Sequence, residues 1–97
     1  MGRIEDNEKR LNKLNSIVRD LDKSLMEFKD NINEYKLLNK YYGSKRWFKD
    51  KNDFEKGKIK NIKAAVLSED AIWNLDEDIR DIIKEMEELI KIYNDNK

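Results

Sequence analysis

The chain contains no cysteine and no histidine. The first absence removes any disulfide framework and any thiolate nucleophile. The second removes the commonest metal ligand and the usual general base near neutral pH. Proline is also missing and glycine occurs only 3 times, so little inside a long segment would break a helix. No apolar run approaches membrane-spanning length. The opening Met1-Gly2-Arg3-Ile4-Glu5-Asp6 has no apolar run behind it, and Asp6 stands where N-myristoylation wants Ser or Thr. The expectation is a cytoplasmic, non-enzymatic protein with no cofactor, no metal and no contact with membranes.

Charge is what the sequence has in plenty. Of 97 residues, 43% are charged and 38% apolar, a balance that suits thin helical packing around one modest core. High charge by itself would equally fit a disordered chain. The spacing of the apolar residues argues for order. From Leu11 they fall at 11, 14, 18, 21, 25, 28, 32 and 35, an alternation of three and four, and Tyr42 extends the register after the polar Asn39. Such a heptad seam belongs to a helix that packs lengthwise on another. The spacing predicts one helix over residues 3–41, about 58 Å long. Glu5/Lys9 and Asp6/Arg10 stand four apart and support its wet face.

The regularity breaks between residues 41 and 73, where both tryptophans lie. Gly43 is suited to end the first helix in a left-handed conformation, and Ser44 to cap a second. That helix is expected over residues 45–55, with an apolar face of Trp47, Phe48 and Phe54 and with Gly57 as its stop. Residues 57–67 then connect, tacked down by Ile59, Ile62, Val66 and Leu67. Ser68 caps a last helix over residues 69–94, whose Glu69 and Asp70 suit the positive end of its dipole. Ile72, Leu75, Ile79, Ile82, Met86, Leu89 and Tyr93 repeat the seam, and Ile83 and Ile90 widen it.

The fold expected is all-α: an elongated antiparallel helical hairpin, coiled-coil-like, forming a single domain over residues 1–97 with a short third helix at the elbow. The long helix should overhang the last by roughly 20 Å. Tyr41, Tyr42, Gly43, Ser44, Trp47, Ser68 and Trp73 are expected to build the elbow. The extra apolar row, with Leu11, Leu14 and Ile17, raises the expectation of a homodimer.

Charge is unevenly divided. Residues 36–63 carry 10 basic and 3 acidic side chains, and residues 64–97 carry 4 and 10. The candidate partner-binding residues are therefore Lys45, Arg46, Lys49 and Lys51 on the basic elbow, with Asp76, Asp78, Asp81, Glu85 and Glu88 on the acidic helix. The basic, aromatic-interleaved elbow 36–63 could bind phosphates and stack bases, which makes nucleic acid the alternative partner. Its blander role is an aromatic core with lysines neutralised by the acidic helix. The acidic residues lack a calcium-loop pattern and spread around the helix axis. Ser44 and Ser68 have no base to activate them. The functional expectation is a small protein-interaction or regulatory module, one version being an inhibitor encoded by a phage or mobile element.

Two words, Tyr41-Tyr42-Gly43-Ser44-x-x-Trp47-x-x-Asp50 and Val66-Leu67-Ser68-Glu69-Asp70-Ala71-Ile72, resemble those of a small bacterial family, domain of unknown function 4298. The likeness extends over most of the chain, including its charged helical ends. The family is expected to have glycine where Ala65 stands and to be more acidic over residues 45–63. The resemblance implies no activity, cofactor or catalytic residue.

Overall fold

The computed structural model describes residues 2–95. Among these every regular element is a helix, so the all-α class holds. The chain folds as α1 (Arg3–Asp30), α2 (Ile32–Tyr41), α3 (Lys45–Glu55), a 3-10 turn (Ala65–Leu67) and α4 (Glu69–Asp95). No helix among the described residues is long and apolar enough to cross a membrane.

Where the spacing predicts a single helix over 3–41, the structure interrupts it at Asn31. This residue sits at φ −106°, ψ 8°, outside the helical region. Its side-chain amide donates to the Glu27 carbonyl at 2.8 Å, while its backbone N–H is shared between the Glu27 and Phe28 carbonyls at 3.1 Å each. Asn7 makes the same side-chain bond, to the Arg3 carbonyl at 2.8 Å, inside an unbroken α1, so this bond alone does not account for the break. The Asn31 carbonyl then accepts from Glu34 and Tyr35, at 3.0 and 3.3 Å, which starts α2 at once.

The chain divides into two compact units, Met1–Leu37 and Leu38–Lys97, with the boundary inside α2. The first unit is essentially α1 and the beginning of α2. No residue of α1 is buried, and its seam from Leu11 to Phe28 is exposed throughout. A lone amphipathic helix has no second apolar surface within its own unit on which to fold that seam. Local bonds run along the helix, such as Arg10 donating to Asn7 Oδ1 at 3.1 Å.

The second unit holds the core. Gly43 takes φ 77°, a conformation that costs any residue with a Cβ, and turns the chain from α2 into α3. Ser44 caps α3, its Oγ accepting the Trp47 N–H at 3.2 Å. The far end of α3 closes with Gly57 at φ 76°. There the Lys58 N–H reaches the Asp53 carbonyl at 2.9 Å and the Gly57 N–H the Phe54 carbonyl at 3.1 Å, the paired bonds of a Schellman end. Ser68 caps α4 through the Asp70 N–H at 3.2 Å. The 3-10 turn packs against both α3 and α4. Trp47, Leu67 and Ile72 are buried where these elements meet.

Candidate functional site

Trp47 is the centre of the second unit, because three independent contacts fix its indole. The ring nitrogen donates to the Val66 carbonyl at 2.9 Å, tying α3 to the 3-10 turn. Tyr42 meets it edge-on with centroids 5.0 Å apart, and Phe48 does the same at 4.9 Å. Edge-to-face geometry places the positive ring edge against the negative face of the neighbour. The Lys51 ammonium lies 5.2 Å from the indole centroid and also pairs with Glu69 at 3.0 Å. The hydrogen bond to Glu69, more than anything else, raises the Lys51 pKa above the usual lysine value. Tyr42 completes the join, its hydroxyl donating to the Glu69 carbonyl at 2.7 Å.

Beside this cluster lies an open cavity of about 240 Å³. Ile59, Ile62, Ala64, Val66 and Leu67 supply its apolar wall, with Tyr41, Asp50 and Lys63 around it. The Tyr41 hydroxyl donates to Asp50 at 2.6 Å, and Arg46 pairs with the other carboxylate oxygen at 3.4 Å. Donation to Asp50 raises the Tyr41 pKa, since the bond favours the neutral phenol. A carboxylate held by two partners is poorly placed to act as a base, and the cavity holds no nucleophile activated by a neighbour. Among the described residues, no cluster of three or more Asp or Glu is arranged to hold a metal ion.

The two words that carry this geometry, Tyr41 to Asp50 and Val66 to Ile72, fall within a longer match. A family described as a domain of unknown function (DUF4298) matches residues 4–94. The chain belongs to that family. Among curated proteins and among solved structures, none matches it.

In this DUF4298 chain the candidate basic residues all lie on α3 and differ in their partners. Lys45 and Lys49 are exposed on α3, with Lys49 4.0 Å from Asp53. Arg46 is occupied by Asp50. Lys51 lies 5.2 Å from the Trp47 ring centroid and pairs with Glu69 at 3.0 Å, so its charge is engaged within the elbow. Asp53 also receives Lys58 at 3.9 Å, so local carboxylates neutralise several of the elbow cations.

The acidic candidates divide as well. Asp76 is half-buried and bonds Arg80 at 2.9 Å. Asp78, Asp81, Glu85 and Glu88 are exposed and, spaced three, four and three apart, form one stripe along α4.

The elbow set is brought together with one exception. Trp73, expected to help build the elbow, is 64% exposed. It lies about 100° around the helix from the buried Ile72, off the apolar seam. Its nearest companions on that face, Asp76, Glu77 and Arg80, are charged. The contact that sequence reasoning missed is Tyr41 with Asp50. The two sit at the ends of one family word, yet nine residues of separation across a glycine turn hide the pairing.

Proposed function

We propose that this chain is a protein-interaction module and that α4 is its docking helix. The observation carrying the proposal is the pairing of two parallel stripes on α4. Leu75, Ile82 and Leu89 are exposed along its seam, with Ile83 and Ile90 beside them on one side. The acidic stripe of Asp78, Asp81, Glu85 and Glu88 borders the seam on the other. An apolar strip edged by one sign of charge fits an amphipathic partner helix with basic residues along its border, laid lengthwise. A small inhibitor that docks on a larger protein in the cytoplasm is the concrete form of this role. Nucleic-acid binding through residues 36–63 is the less favoured reading, because Asp50, Asp53 and Glu69 already partner Arg46, Lys49, Lys51 and Lys58.

The test is affinity capture from the native host, with the recovered protein identified, purified and titrated back. Replacing Asp78, Asp81, Glu85 and Glu88 by their amides should weaken that binding by about tenfold or more at low salt, and Ile82→Asp should abolish it. Undiminished binding by both variants would remove α4 from the interface. Recovery of nucleic acid, with affinity falling steeply as salt rises, would favour the elbow instead.

A further inference from the structure

The seam of α1 is a different surface from that of α4, and its chemistry selects a different occupant. Leu11, Leu14, Val18, Leu21, Leu25 and Phe28 follow the two seam positions of a coiled coil without interruption, and all six are exposed. Residues 1–35 carry 7 basic and 8 acidic side chains, so two copies of this segment meet without net repulsion. Residues 64–97, with 4 basic and 10 acidic, would oppose their own copy. We infer that α1 pairs with α1 of a second copy of this chain as a parallel, in-register two-stranded coiled coil.

Orientation follows from what flanks the seam. In the parallel arrangement a flanking residue faces the one five positions later in the other copy. Arg3 then meets Glu8, Arg10 meets Asn15, Ile17 meets Asp22 and Ser24 meets Lys29, with no like charges opposed. Asn7, the one polar residue on the seam, meets Asn7. The antiparallel arrangement that overlaps all of α1 sets Glu8 beside Asp22, two carboxylates, and places Asn7 against Leu25. Like charges across the border and an amide against an apolar layer both disfavour it. The inference is independent of the role proposed for α4.

The chain has no cysteine of its own, so one introduced thiol reports register without background. Sedimentation equilibrium of the full chain across micromolar concentrations should show the mass moving from one chain to two. Leu14→Cys should form a disulfide-linked dimer under mild oxidation, well ahead of Asp20→Cys on the outer face. Leu21→Asp should raise the dimer dissociation constant by about 100-fold or more, as a charge set in an apolar layer does. A one-chain mass at every concentration would overturn the inference while leaving the α4 reading intact. Linkage of Leu14→Cys no faster than Asp20→Cys would overturn the parallel register.

Discussion

Met1–Leu37 and Leu38–Lys97 have similar ingredients, long charged helices with a seam of leucine and isoleucine, and use them differently. The first unit buries no residue of its main helix, while the second buries Trp47, Leu67 and Ile72. Apolar content does not separate them. The second unit has two tight glycine turns and one buried aromatic, Trp47, and these bring three short stretches onto the same spot. A seam becomes a core only when the chain turns back on itself, because burial needs surface from more than one side of the side chain. A straight helix supplies surface on one side only.

Four substitutions can break or sharpen this contrast. The largest effect should come from Trp47→Ala, which removes the buried indole and its bond to the Val66 carbonyl. A loss of about 3–5 kcal/mol is expected, as for other truncations of buried aromatics. Urea unfolding followed by the fluorescence of Trp73 measures it. An unchanged midpoint would mean that the second unit is organised around something else.

Next is Gly43→Ala. A Cβ at this position meets nothing within 4 Å, so the cost is purely that of holding alanine at φ 77°. That cost is about 1–2 kcal/mol. Differential scanning calorimetry should show it as a lowered Tm, and a neutral result would show that the turn relaxes.

The third prediction concerns pH. Both Tyr41 and Lys51 have folded-state pKa values raised above their ordinary ones, chiefly by hydrogen bonds to Asp50 and Glu69. Each favours its protonated form in the folded state, so its contribution is complete below the unfolded pKa, about 10 for either group, and fades as pH rises through the folded value. Stability of the second unit should therefore decline above about pH 10. Tyr41→Phe should lose part of this decline, at the cost of a lower plateau at neutral pH. Chemical unfolding at a series of alkaline pH values would expose a decline of equal steepness in both proteins, which would exclude Tyr41 as a contributor.

The smallest effect belongs to Trp73→Ala. An indole that is 64% exposed should change stability by no more than about 0.5 kcal/mol. Thermal unfolding by circular dichroism checks it. A large loss would mean that Trp73 supports the core and would narrow the contrast between the two tryptophans.

The elements that depend on neighbours in sequence were legible from the residues alone. Lys45–Glu55 is helical over the span predicted, Ser44 and Ser68 cap the helices they precede, and Gly43 and Gly57 take positive φ. A cap or a left-handed turn is decided within four or five residues, so the sequence contains all the partners involved. The candidate site was legible in part. The aromatic elbow and the acidic stripe follow from spacing, but the role of Lys51 does not, since it depends on Glu69, eighteen positions away.

Two things were decided only by the tertiary structure. Trp47 is buried and Trp73 is not, although both lie in the same irregular region. The seam of α4 contributes Ile72 to the core and leaves Leu75, Ile82 and Leu89 exposed, although the period is unbroken. Periodicity determines which face of a helix is apolar. What covers that face depends on where the turns bring other segments, and only the folded chain sets those distances.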